Sequence, residues 1–423
     1  MAFSFIHAAD LHLDSPLRGL VNYSDELAAV AQGATRRAFI QLIDEAIERR
    51  VDFIVIAGDI ADGGWNDVHT GTFFIRECAR AAQKGIPIYL LWGNHDAESH
   101  VTRKRTLPDG VHKFPHNKPA TLSIDRHKVK LHGQSYERRD VYDNLAKNYP
   151  QGIEGWFNIG VLHTCLTGGG AGTPHLEYAP CSLNDLKVRG YQYWALGHIH
   201  GHEVVSQDPW VVFPGNLQGR NRRETGARGA VLVEVDDDHR IQIEHLPVDV
   251  LRWHEARVDA VHAESLAEVA DQVEDAIRHA WSSAGGRPLI CRIVIIGASR
   301  ANAVLRGDPT ALRAEFEART LNVSHDRIFI EKIRIETEPH ATRLTRTASD
   351  ESVGLLRLIL EEIRNDAELH DELARELEPA MRSLIVDGDL ESDLLAVAKV
   401  EQWPELVQRL GPQLIDQLLS AKE

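Results

Sequence analysis

Residues 51–62 read VDFIVIAGDIAD, a short apolar run rich in β-branched residues that stops at a glycine and an aspartate. The run is too short for a buried helix and has no helical period, so it predicts a buried strand. An aspartate set directly after such a strand stands at its carboxyl end, where open α/β sheets bind ligands. The same grammar recurs along the chain. Runs at 3–9 (FSFIHAA), 86–92 (IPIYLLW), 157–163 (FNIGVLH) and 191–196 (YQYWAL) are each closed by a polar group: 10-DLH-12, 93-GNHD-96, 162-LHT-164 and 197-GHIH-200. Further strands are predicted at about 203–206, 210–214, 229–235 and 240–247, closing the second sheet of a two-sheet α/β sandwich.

The residue types name a chemistry. Hydrolysis of a phosphodiester near neutral pH needs a hydroxide and a clamp on the attacking and leaving oxygens, and two divalent cations supply both. Carboxylate, imidazole and amide ligands together suit Mn2+, Fe2+ or Zn2+ better than calcium. Asp10 and His12 are two apart on an extended segment, so both point to one side and would hold the first cation. Asp59 follows a strand and a glycine, and one carboxylate there can bridge both cations. Asn94 offers a neutral amide oxygen to the second cation, and Gly93 lets the backbone turn tightly. His163 and His198 complete the second site, and His200 returns to the first. His95 is left over as a general acid for the leaving oxygen, oriented by Asp96.

This pattern resembles the calcineurin-like metallophosphoesterase superfamily and, within it, the nuclease subunit of SbcCD-type DNA repair complexes, particularly the YhaO-like branch. IHAADLHLDSPL at 6–17 and FPGNLQGRNRRETGARG at 213–229 carry the finer likeness. The resemblance covers residues 1–250, and extends more loosely to a capping domain and a helical tail. It implies the same seven ligands (Asp10, His12, Asp59, Asn94, His163, His198, His200) with His95 as the acid. It also implies two divalent cations with Mn2+ foremost, DNA as substrate, an SMC-like ATPase with a coiled coil as partner, and a homodimer. One departure stands out. Where nucleases of this group often carry a second histidine shortly after the bridging aspartate, this chain has Asp62. Either Asp62 takes over part of that role, touching substrate, or nuclease efficiency is lower.

Beyond the core, a helix at about 262–283, a strand at 289–297, a helix at 309–319 and a strand at 327–336 form a small α/β unit. The resulting division is a catalytic domain at 1–250, an α/β capping domain at 251–337, a linker at 338–350 and a helical partner-docking region at 351–423. In that tail Leu355, Leu358, Ile359 and Ile363 share one helix face, and Pro379, Pro404 and Pro412 should break it into short helices.

The net charge of −16 is the wrong sign for a protein that holds polyphosphate unaided. The excess concentrates in the tail: residues 345–423 carry 18 acidic and 8 basic groups, against 45 and 39 in the rest. Bound dications would offset part of the remainder. Among the basic clusters, Arg220 with Arg222 and Arg223 follows 214-PGN-216 closely after the 198–200 pair, which makes Arg220 the candidate phosphate contact. Four scattered cysteines suggest neither a zinc ribbon nor a disulfide framework, and read as reduced thiols of a cytoplasmic protein. No apolar run is long enough to span a membrane, and none reads as a secretory signal. Two other readings stay open: a phosphodiesterase or phosphatase for small molecules, and a non-catalytic scaffold regulating a partner ATPase.

Overall fold

A computed structural model of the chain describes residues 2–17, 20, 25–62, 68–97, 106–167, 178–340, 351–366, 369–370, 372, 375–376 and 403–420. The chain divides into two compact units, Met1–His254 with Ala284–Ile290, and Glu255–Ser283 with Cys291–Glu423.

Twelve strands make up the two large sheets: β1 (Phe3–Ala8), β2 (Phe53–Ala57), β3 (Ile88–Leu91), β4 (Val111–Lys113), β5 (Ala120–Ile124), β6 (Val129–Gly133), β7 (Phe157–His163), β8 (Tyr193–Gly197), β9 (Glu203–Gln207), β10 (Trp210–Phe213), β11 (Gly229–Val235) and β12 (Ile241–Pro247). One sheet has the order β12-β11-β1-β2-β3-β4, the other β5-β6-β7-β8-β10-β9. The continuous apolar runs follow from burial on both faces. In β2, Ile54 and Ile56 pack outward with Phe39, Leu42 and Phe74 from the helices Ala34–Arg49 and Val68–Gln83. Phe53, Val55 and Ala57 point the other way, meeting Phe157, Val161 and Tyr193 of the second sheet. The outer face of the second sheet is closed by Tyr149, Trp194, Leu196 and Phe213. Parallel pairing of β1 with β2, β2 with β3, β6 with β7 and β7 with β8 brings the carboxyl ends of β1, β2, β3, β7 and β8 to one edge.

The sequence placed 229–235 and 240–247 in the second sheet, and the structure corrects this. β11 pairs antiparallel with β1, and β12 pairs with β11, so both extend the first sheet. The second sheet ends instead in the β5–β6 hairpin, which the sequence reading did not name. β11 is covered on both sides, with Ala230 and Leu232 facing the helices and Val231, Val233 and Val235 facing the other sheet. That is the burial of an interior strand.

A third sheet has the order β13 (Arg252–Asp259), β14 (Leu289–Ser299), β15 (Ile328–Pro339), accompanied by helices Leu266–Ala284, Asn302–Gly307 and Pro309–Val323. Within it Arg292 donates from Nε and Nη2 to the two oxygens of Glu331 at 2.8 and 2.6 Å, both side chains being buried. Removing one member leaves the other charge uncompensated, so Glu331→Ala is expected to cost about 3–5 kcal/mol in urea unfolding. The double change Arg292→Met with Glu331→Leu should recover most of that loss.

The helices Glu351–Asn365 and Trp403–Ser420 pack through Val353, Ile415 and Leu419, flanked by Leu356, Leu360 and Leu418. On the face named from the sequence Leu355, Leu358 and Ile359 are exposed and Ile363 is half-buried. Pro412 does not end a helix as the sequence suggested, but lies inside Trp403–Ser420, with Pro404 in its first turn. Proline at 412 deletes one amide donor to the preceding turn, and the packing of Ile415 and Leu419 carries the helix past it. Pro379 and the linker residues 341–350 lie outside the described residues. Among the described residues no helix is long and apolar enough to cross a membrane.

Candidate metal centre

The segments after β1 and β2 run side by side. The amides of Asp10, His12 and Leu13 donate to the carbonyls of Gly58, Asp59 and Ile60 at 3.0, 3.0 and 2.9 Å. Asp10, His12 and Asp59 adopt left-handed backbone angles (φ 51°, 41° and 51°), as does His198 at 104°. Non-glycine residues rarely take such angles, and they gather where function holds the backbone against its preference. Two glycines permit the strand ends to converge. A Cβ on Gly93 would overlap the Asp59 carboxylate and lie 2.9 Å from His163 Cε1; one on Gly197 would overlap the Ala57 carbonyl.

Asp10 is fully buried, and its two oxygens accept the His198 amide at 3.2 and 3.0 Å. His12 Nε2 and His200 Nε2 face each other at 3.2 Å, with Asp59 Oδ2 3.9 Å from His12 Nε2. Burial and the Arg220 charge lower His12 to about 3, despite Asp62, so its ring is neutral. His163 Nδ1 lies 2.9 Å from the Ala57 carbonyl, to which its N–H donates, so Nε2 is the nitrogen open to a cation once its proton is displaced. That nitrogen stands 2.9 Å from Asn94 Oδ1 and 3.5 Å from Asp59 Oδ2. The His198 ring lies against His163 at 5.2 Å between centroids and against Tyr178 at 6.0 Å.

Imidazole nitrogens, carboxylates and an amide oxygen converge here, a donor set that fits two divalent ions, and its atoms fall into overlapping groups, Asp10–His12–His200 and Asp10–Asp59–His163, each within 4.8 Å. A third such group is His12–Asp62–His95.

His95 stands beside these ligands. Its amide donates to Asp59 Oδ1 at 3.0 Å, and its Nε2 is 4.0 Å from Asp59 Oδ2. Asp96, expected to orient this ring, does something else: its carboxylate accepts the amides of Ile60, Ala61 and Gly93 at 3.0 to 3.1 Å, clamping the turns after β2 and β3 together. Burial and the nearby Asp59 push Asp96 up to about 7 despite those donors. The carboxylate that holds His95 is Asp62, 3.2 Å from its Nδ1 and 3.5 Å from His12 Nδ1. Burial works against a charged His95, but Asp62, Asp59 and Asp96 outweigh it and raise the ring.

Glu224 was missed from sequence. It is buried, and its Oε1 lies 2.9 Å from His200 Nδ1. Its neighbour Arg220, expected to face substrate phosphate, turns inward instead: Nη2 lies 3.2 Å from Glu224 Oε1, and the side chain is 14% exposed. Only a lone acid among arginines marked this position in the sequence. His202 stands apart from the ligands, stacked on His245 at 4.7 Å with its Nδ1 3.2 Å from the Phe213 carbonyl. His7 is fully buried against Tyr193 and the Leu196 carbonyl.

His163 sets a pH dependence. Burial disfavours its charge, but the carboxylates of Asp59 and Asp10 prevail and raise it to about 9 from 6.5. Holding a proton more tightly than the unfolded chain does, the ring stabilises the fold fully below 6.5 and loses that contribution as pH rises through 9. A cation must displace the proton. The rise in melting temperature produced by manganese is therefore expected to grow between about pH 6 and pH 9; a flat or shrinking rise contradicts this assignment.

A two-sheet sandwich with a mixed carboxylate, imidazole and amide cluster at its strand ends defines a metal-dependent phosphoesterase. The chain belongs to the calcineurin-like metallophosphoesterase family. The profile of the calcineurin-like phosphoesterases matches residues 3–202, and that of the middle domain of the metallophosphoesterase YhaO matches residues 253–338. An uncharacterized metallophosphoesterase YhaO of Bacillus subtilis is 35% identical over 301 residues, 70% of this chain and 72% of the relative. The DNA double-strand break repair protein Mre11 of Methanopyrus kandleri is 24% identical over 271 residues, 57% of this chain and 56% of its own length. That of Sulfurisphaera tokodaii is 25% identical over 47% of this chain and 53% of its own length. The chain thus spans about half the length of these Mre11 relatives.

Proposed function

We propose that the chain is a cation-dependent DNA nuclease, the phosphodiester-cleaving subunit of an SbcCD-like repair complex. The observation that carries the reading is His95, 29% exposed at the rim of the ligand cluster, with Nδ1 on Asp62 and Nε2 turned toward Asp59. A phosphodiester offers an alkoxide leaving group, which needs a proton; an imidazole held at one nitrogen by a carboxylate can deliver it from the other. Divalent cations, when bound, activate water and neutralise charge around phosphorus. Asp10, His12, Asp59, Asn94, His163, His198 and His200 would hold them. DNA as the substrate is supported by the Mre11 relatives.

Two divalent cations, Mn2+ foremost, are proposed as cofactors, and a homodimer and a coiled-coil ATPase as partners. The outward residues Leu355, Leu358 and Ile359 support the ATPase, as an apolar stripe suited to a partner helix. An acidic tail also points to a partner that supplies the basic DNA surface.

The test uses end-labelled single- and double-stranded DNA with manganese, and an Asp59→Asn/His95→Ala double variant as control. Cleavage lost in the variant supports the reading. Hydrolysis of bis-p-nitrophenyl phosphate with both DNAs intact overturns a nuclease that acts alone and favours a small-molecule phosphodiesterase or a nuclease that needs its partner.

A further inference from the structure

The two halves of the catalytic cluster are joined by a chain of contacts behind it. His200 presents Nε2 to the cation side, and its Nδ1 rests on Glu224 Oε1 at 2.9 Å. Glu224 Oε2 accepts the Arg220 amide at 2.7 Å and Asn216 Nδ2 at 2.8 Å. The Arg220 guanidinium folds back over the same carboxylate, with Nη2 3.2 Å from Oε1 and 3.1 Å from His200 Nδ1. Its Nη1 reaches to 4.0 Å from Asp62 Oδ2. Asp62 in turn takes the Ser15 hydroxyl at 2.7 Å and stands 3.2 Å from His95 Nδ1.

We infer that Glu224 and Arg220 act as one brace, fixing both the cation-facing nitrogen of His200 and the carboxylate that holds His95. Arg220 is then a positioning residue rather than a phosphate contact. The inference deepens the two-cation reading of this site and rests on it.

Donor counting supports the brace. Four N–H groups converge on the two oxygens of Glu224: His200 Nδ1, Arg220 Nη2, the Arg220 amide and Asn216 Nδ2. A carboxylate offers two oxygens of acceptor capacity; a glutamine offers one oxygen and two further donors, so it cannot serve all four. With Nδ1–H engaged, His200 has only Nε2 to give a cation. Arg220 stands between two carboxylates that would otherwise lack a cation between them, and its planar fork reaches both. A lysine ammonium is a single point charge and cannot span them.

The full chain carries the test. Manganese affinity is read by counting free Mn2+ with electron paramagnetic resonance, and kcat and KM on bis-p-nitrophenyl phosphate at saturating manganese. Glu224→Gln is expected to weaken one manganese equivalent about 10- to 100-fold, as loss of a carboxylate behind a ligating histidine does. Glu224→Asp should restore part of that affinity. Arg220→Lys is expected to weaken the same manganese equivalent by a smaller factor, with little change in KM. If Arg220→Lys raises KM while kcat and manganese affinity hold, Arg220 binds phosphate and the brace is wrong. If the unaltered chain binds no manganese, the two-cation reading itself fails. If it binds two equivalents and Glu224→Gln binds them equally well, the brace alone fails.

Discussion

Replacing Asp59 with asparagine is expected to lower phosphodiester hydrolysis roughly 10³-fold or more, because losing a metal's charge stabilisation removes several kcal/mol from the transition state. The geometry explains why this one residue matters so much. Its Oδ2 lies 3.5 Å from His163 Nε2, 3.9 Å from His12 Nε2 and 4.0 Å from His95 Nε2, while Oδ1 holds the His95 amide. A single carboxylate thus faces histidines of both groups that would hold cations, and His95 as well. Burial works against its charge, but His163 outweighs it and holds Asp59 well below the usual carboxylate range. Asparagine preserves the shape and one acceptor for the His95 amide, so the fold should survive. The expected signature is a melting temperature that responds less to manganese, together with lost hydrolysis. Unchanged hydrolysis in Asp59→Asn removes the bridging role.

The second large effect concerns the leaving group. His95→Ala should slow DNA cleavage about 10²- to 10⁴-fold, the usual contribution of a positioned acid. Hydrolysis of bis-p-nitrophenyl phosphate should fall far less, since p-nitrophenolate departs without needing a proton. The ratio of the two losses is the informative quantity. Asp62→Asn should shift it the same way by a smaller factor, because Asp62 holds the ring but does not touch the leaving oxygen. Equal losses on both substrates would assign His95 to cation binding or structure instead.

The cluster residues were legible because each follows an apolar run that reads as a buried strand, and polar residues at such positions have few other reasons to be there. Asp10, Asp59, Asn94 and His163 are of this kind. What lay hidden depended on geometry that sequence distance obscures. Asp96 neighbours His95 in the chain, yet its carboxylate turns back onto the amides of Ile60, Ala61 and Gly93, while Asp62, from a different turn, meets the ring. Glu224 sits 24 residues from the histidine it touches, in a turn with no apolar pattern to announce it. The sheets show the same limit. β11 has the composition of a buried strand, but its pairing with β1 bridges more than 200 positions, and nothing local selects β1 over the second sheet. In the last helix, proline chemistry argued for a break at Pro412, and packing of Ile415 and Leu419 prevailed.

The central claim is that this cluster holds two divalent cations through the residues named. Its most direct measurement is the manganese content of the dialysed full chain by elemental mass spectrometry, beside Asp59→Asn. Two equivalents per chain, falling to one or none in the variant, is the result this account predicts. A chain that retains no manganese at any concentration supporting hydrolysis, or a variant that retains both equivalents, would contradict it.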